Sequence, residues 1–139
     1  MKVVIIGGGP AGMLSAISAA RKGDTVTILE KMNICGKKLL ITGKGRCNIT
    51  SSLDISEFIK NIPGNGKFLY SAFNNFTNQD IIKILEQNNV KVKKERGNRI
   101  FPESNKSFSV LNALLQELRK LKVDIQTNTK VTKILTKED

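Results

Sequence analysis

Residues 3 to 12, VVIIGGGPAG, drive four aliphatic residues straight into a glycine run. Glycine is the poorest helix former after proline, about 1 kcal/mol worse than alanine in a helix interior. A chain that places Gly7, Gly8, Gly9 and Gly12 where a helix begins therefore needs its backbone bare there. KVVII (2–6) has the continuous aliphatic pattern of a strand buried on both faces. PAGMLSAISAARKG then reads as a helix whose alanines and serines allow close approach to a sheet, with Gly23 suited to its C-terminal cap. DTVTILEK (24–31) alternates, is β-branched and ends on an acid, the pattern of a second strand. Strand, glycine turn, helix and strand within ~30 residues make a βαβ unit, which implies a parallel sheet with a right-handed crossover.

Gly7, Gly9 and Gly12 stand in G-x-G-x-x-G spacing, and Glu30 closes the second strand eighteen residues beyond Gly12. The spacing alone also suits a tight strand-to-helix turn with no ligand. In the order strand, glycines, helix, strand, acid it is the fingerprint of a dinucleotide site. Gly7 then makes the turn, Gly9 lets a pyrophosphate approach the backbone, and Gly12 lets helix and strand pack closely. Free N–H groups at the helix start face the phosphates, aided by the helix dipole. Glu30 accepts hydrogen bonds from a ribose hydroxyl. Its carboxylate would repel a 2′-phosphate, which disfavours NADP in this groove and leaves FAD and NAD.

The formal net charge is +11, and its distribution matters more than its size. No acid lies between Glu30 and Asp54, whereas Lys31, Lys37, Lys38, Lys44 and Arg46 all do, interleaved with Gly36, Gly43 and Gly45. Cations beside bare backbone suit a diphosphate. The alternative is a solvated basic loop. A second cluster, Lys91, Lys93, Lys94, Arg96 and Arg99, has only Glu95 as counter-charge. The absence of histidine excludes Ser-His and Cys-His triads and a typical zinc site. Cys35 and Cys47, with eleven residues between them, match neither a zinc spacing nor a CxxC pair. Two reduced thiols are expected, with a redox pair as the alternative. No apolar run nears the ~20 residues of a membrane span, and the N-terminus lacks the plan of a signal peptide. A cytoplasmic protein without a membrane partner is expected.

Further along, 32–53 reads as loop with a short turn at KKLLI. DISEFIKNI opens with Asp54 and Glu57 in capping-box spacing. PGNG (63–66) is a turn, and KFLYSAFNNF and TNQDIIKILEQNN are helices, the second capped by Thr77, so a helical excursion covers about 54–89. VKVKKE and NRIFP suit a hairpin across Arg96-Gly97. Residues 105–121 set Phe108, Leu111, Leu114, Leu115, Leu118 and Leu121 on one helical face. VDIQT and KVTKIL read as two closing strands.

GGGPAG and LEK, followed by GKKLLITGKGRCNIT and NRIFPESNKSFSVLNALL, resemble a bacterial NAD(P)/FAD-dependent oxidoreductase family. It includes aminoacetone-oxidase-like and 3-dehydro-bile-acid-reductase-like flavoproteins. The G-K-K-L-L-I-T-G-K-G-R-C-N stretch is far more specific than the glycine fingerprint. The resemblance spans essentially the whole chain and implies a Rossmann-type parallel sheet of the glutathione-reductase-like FAD-binding class. It implies FAD as cofactor, with NAD(P)H as electron donor and a small-molecule substrate in the intact enzyme. Carried across by position, it makes Gly7, Gly9, Pro10, Ala11 and Gly12 pyrophosphate contacts and Glu30 the ribose ligand, with Lys31 flanking the adenosine. It sets Lys38, Gly43, Arg46, Cys47 and Asn48 along the pyrophosphate and flavin, and gives Val131 a backbone contact to the adenine. Lys44 stands where the family often has a second small residue.

The expectation is an α/β protein whose residues 1–139 form the N-terminal part of an FAD-binding Rossmann-like domain, incomplete at its C-terminus. It is expected to be a truncated and inactive fragment, able to self-associate through an exposed sheet edge. No catalytic acid or base is identified. Proton transfer would fall to a lysine, Tyr70, a carboxylate or a residue outside this sequence. The alternatives are a basic nucleic-acid-binding module and a non-catalytic dimerising fragment. No nucleic-acid partner is expected, since a lone tyrosine and six phenylalanines offer few stacking platforms.

Overall fold

The structure, a computed structural model, describes residues 1–136. In chain order the first elements are β1 (Lys2–Ile6), α1 (Pro10–Arg21), β2 (Thr25–Leu29), β3 (Thr50–Ser51), α2 (Ile55–Lys60) and α3 (Tyr70–Asn75). Then come α4 (Asn78–Gln87), β4 (Val92–Glu95), β5 (Arg99–Pro102), α5 (Ser107–Lys120) and β6 (Asp124–Gln126). Short 3-10 segments lie at Leu39–Gly45, Gly66–Leu69 and Arg96–Asn98. The chain divides into two compact units, Met1–Leu39 with Leu114–Asp139, and Leu40–Ala113.

The first unit holds a parallel sheet in the order β1-β2-β6. Ile5 stands opposite Ile28, and Ile28 opposite Ile125. Helix α1 lies against β1 and β2 and buries Met13, Ala16 and Ile17 completely or nearly so. Removing a large aliphatic side chain such as Ile17 from water contributes about 1.5–3 kcal/mol. The small residues of α1 have the effect read from the sequence, because Ala16 sits fully buried in the interface. Gly23, at φ +89°, ends the helix with its N–H on the Ala20 carbonyl at 3.0 Å. Arg21 in the last turn of α1 pairs with the buried Glu117 of α5 at 2.6 Å. Strand β1 is one edge of this sheet, and the expectation that KVVII is buried on both faces fails: none of its residues is buried and Val4 and Ile6 are exposed, because among the described residues only β2 pairs with it.

Two further sequence expectations fail in this region. KVTKIL is no strand: residues 131–136 are irregular, and Ile134 and Leu135 are exposed. The backbone after β6 binds the backbone after β2, through Thr129 N–H to Glu30 O and Asn128 N–H to Met32 O. β2 has by then ended, so the alternating pattern of 130–135 meets no strand to pair with. Phe108 is also off the buried face of α5, at 64% exposure, while Leu111, Leu114 and Leu118 are buried.

The second unit is built on an antiparallel sheet in the order β3-β5-β4. The expected hairpin forms, with Gly97 and Asn98 at positive φ in its turn. β3 falls in the stretch read as loop; its two residues are too few for any periodicity. Asp54 caps α2 by accepting the Glu57 N–H at 3.0 Å. The reciprocal half of a capping box is replaced, because Glu57 pairs with Lys60 at 2.6 Å. Thr77 and Asp80 do form a full capping box on α4. The buried Asn78 beside it donates to the Ser51 and Leu53 carbonyls, tying α4 to the segment after β3.

Candidate functional site

The turn from β1 into α1 is shaped by what cannot be added to it. Gly7 adopts φ +103°, a region closed to most L side chains, while its N–H extends the sheet to the Leu29 carbonyl at 2.8 Å. A Cβ on Gly12 would collide with the Gly7 carbonyl oxygen and press on Ile5, so helix and strand touch backbone to backbone. Gly9 is the opposite case. It is the N-cap of α1, in extended conformation, and a Cβ there would meet nothing within 4 Å. Pro10 follows at the first helical position, where a missing N–H is no loss.

The first helical bond runs from Met13 N–H to Gly9 O at 2.9 Å. The Ala11 and Gly12 N–H groups therefore lie ahead of the helical ladder. No side chain caps this end, and the first turn carries no acid. The positive pole of the helix dipole is open to an anion.

Glu30 stands just past β2 and is buried. One of its oxygens accepts the Gly8 N–H at 2.6 Å and the other the Met32 N–H at 2.8 Å. The Met32 hydrogen bond, with those of Gly8 and Lys31 and the Lys31 charge, holds the carboxyl below the usual glutamate range despite burial. Near neutral pH these bonds favour the carboxylate form. A carboxylate has about four acceptor sites, so both oxygens retain capacity for a hydroxyl. Glu30 also fixes its surroundings through its backbone, donating to Gln126 O at 2.9 Å and accepting from Thr129 N at 2.8 Å.

Those bonds bring residues 129–131 beside the end of β2. Between them is a cavity of about 350 Å³ lined by Ile6, Gly7, Glu30, Lys31, Thr129 and Val131, among others. Ligand sites span roughly 300–1,000 Å³. This one has the volume of a nucleoside rather than of a whole FAD. Gly7, Glu30, Lys31 and Val131 of the sequence-derived set thus come together, although Val131 lies in irregular backbone after β6. Thr129 joins them without any local sequence pattern to mark it.

Lys31, Lys37 and Lys38 are exposed in the first unit. Cys35 is buried there as a free thiol, pushed up by burial and then by the Glu30 charge. The remaining predicted residues belong to the second unit. Gly43, at φ +54°, approaches the backbone of Asn48 so closely that a Cβ would lie 2.8 Å from its nitrogen. Lys44 shares the left-handed conformation at φ 56°. Arg46 forks onto the two Glu95 oxygens at 2.9 and 3.2 Å and lies 4.2 Å above the Phe101 ring. The acid missing from 31–53 is thus supplied to Arg46 by β4. Cys47 is buried and free, its thiol raised by burial, and its N–H bonds the Thr42 carbonyl at 3.0 Å. Asn48 is exposed. Among the described residues there is no group of His, Cys, Asp or Glu able to hold a metal, and no helix long and apolar enough to cross a membrane.

The family described as the HI0933-like protein Rossmann domain matches the chain over residues 1–139. The chain belongs to the HI0933-like family. Within relatives of this HI0933-like domain, a 3-dehydro-bile acid delta(4,6)-reductase of Clostridium scindens is 38% identical over 133 residues, 94% of this chain and 32% of the relative. A ribosomal RNA dihydrouridine synthase of Haemophilus influenzae is 26% identical over 131 residues, also 94% of this chain and 32% of the relative. The HI0933-like chain thus spans about a third of the length of these curated relatives. The crystal structure of 3-ketosteroid-delta4-(5alpha)-dehydrogenase from Rhodococcus jostii matches it with a TM-score of 0.62 at 15% identity, over 90% of this chain and 37% of the other. That likeness is one of fold, a Rossmann-type α/β arrangement.

Proposed function

We propose that this HI0933-like domain is the FAD-binding portion of a flavin-dependent oxidoreductase and holds the ADP half of the cofactor. One observation carries the reading: an uncapped helix start with an open Gly9 belongs to the same turn as a nucleoside-sized cavity containing the Glu30 carboxylate. Gly9, Pro10, Ala11 and Gly12 receive the pyrophosphate, with N–H groups and the helix dipole as its partners. Glu30 accepts from the ribose, Lys31 flanks the adenosine, and the backbone at Val131 meets the adenine. The Glu30 carboxylate disfavours a 2′-phosphate, so FAD is preferred here over NADP.

When bound, the flavin supplies hydride transfer; the domain's residues bind and orient it. The names of the Clostridium scindens and Haemophilus influenzae relatives both describe saturation of a carbon–carbon double bond. That supports a reductase acting on an unsaturated organic substrate, with NAD(P)H as electron donor. Titration of the purified chain with FAD, followed by competition with ADP, tests the binding reading. Saturable FAD binding displaced by ADP supports it. Binding of neither, or tighter binding of NADP than of FAD, refutes it.

A further inference from the structure

Gly8 is not one of the fingerprint positions, yet it is held at three points. Its N–H donates to Glu30 at 2.6 Å, and its carbonyl accepts the Gly36 N–H at 2.8 Å. The Sγ of Cys35 occupies the space that a Gly8 Cβ would fill, with Cys35 Cβ 3.1 Å and Glu30 Oε2 3.2 Å from the same point. Gly8, Glu30, Cys35 and Gly36 are all buried. The turn is gripped from its N–H, its carbonyl and its α-carbon at once.

We infer that Cys35 is a positioning residue for the phosphate-binding turn, acting by contact with Gly8 and not by thiol chemistry. Gly8 immediately precedes Gly9, where the extended chain enters α1. A small displacement of Gly8 re-aims the N–H groups that follow it. Interiors are close-packed, so a sulfur seated against an α-carbon transmits a change in its own volume to that carbon. The inference rests on the dinucleotide reading above and adds to it the residue that sets the turn's aim.

A double-substitution cycle tests it, read with two ligands: ADP, which reaches the phosphate turn, and adenosine, which does not. Gly8→Ala drives a methyl group into Cys35 Sγ. ADP affinity should fall at least tenfold, and adenosine affinity, which feels Gly8 only through its hydrogen bond to Glu30, by a clearly smaller factor. Cys35→Ala removes the sulfur, so Gly8→Ala combined with Cys35→Ala should recover ADP affinity to within about threefold of the parent. Cys35→Ser keeps the volume and should bind ADP like the parent. Where Gly8→Ala does not fold, Cys35→Leu applies the same pressure from the other side and should show the same ADP-selective loss. Parallel loss of ADP and adenosine binding, or a double variant as weak as Gly8→Ala alone, overturns the inference and leaves the dinucleotide reading standing. A parent chain that binds neither ligand overturns both.

Discussion

The α-carbon of Gly12 packs directly against the carbonyl oxygen of Gly7, with no space for even one methyl group between them. Both partners of this contact are backbone, so neither can rotate away. Gly12→Ala must therefore lift α1 from β1, and overpacking of this kind costs typically ~1–3 kcal/mol. The expected result is a fall of that size in urea-unfolding stability. An unchanged midpoint would mean that α1 is free to shift.

Glu30 makes the domain acid-sensitive. Its carboxyl is held below the usual range in the folded chain, foremost by the Met32 N–H, whereas the unfolded group titrates near ~4.3. The unfolded state therefore binds the proton more readily. The stabilisation is complete above the unfolded value and is lost as pH falls through the lowered folded one. Glu30→Gln leaves one of two backbone N–H groups without its acceptor, at a cost of about 1–3 kcal/mol near neutrality. Thermal unfolding of the two proteins from pH 7 downward should show the gap narrowing below about pH 4. A gap independent of pH would contradict this account.

Lys44 is in the left-handed region at φ 56°, a conformation that costs a side chain-bearing residue about 1–2 kcal/mol. Part of that is offset because glycine gives the unfolded chain more freedom. Lys44→Gly should thus raise stability modestly, by about 0.5–1 kcal/mol, measured by chemical denaturation. A loss of stability would show that the lysine side chain contributes more than its backbone strain.

The β1–α1–β2 unit is plain in the sequence because its signals are local: an aliphatic run, glycines at fixed offsets, and a β-branched strand ending on Glu30. Long-range contacts leave no such trace. Arg46 lies in a run without acids, and only the β3–β5–β4 sheet brings Glu95 to it. Gly8 reads as a spare glycine because its constraint comes from Cys35 and Glu30, more than twenty residues away. Phe108 fits the helical period, but it is the second residue of α5. The buried places in that turn go to Ser107 and Val110, which leaves Phe108 on the exposed flank of the stripe. KVTKIL carries a strand's alternation, and what it lacks is a neighbouring strand.

The central claim is that the open face at Gly9 receives a pyrophosphate, and FAD titration of Gly9→Val against the parent chain tests it most directly. Gly9 is extended, and a Cβ on it would have no neighbour within 4 Å, so a side chain can begin there without colliding with the protein, its cost being that of a poorer N-cap. The expected result is a protein that still folds cooperatively, its stability lowered by no more than the ~0.5–2 kcal/mol of a weakened N-cap, together with at least a tenfold loss of FAD affinity, about 1.4 kcal/mol or more. Equal FAD affinity in the two proteins would contradict it.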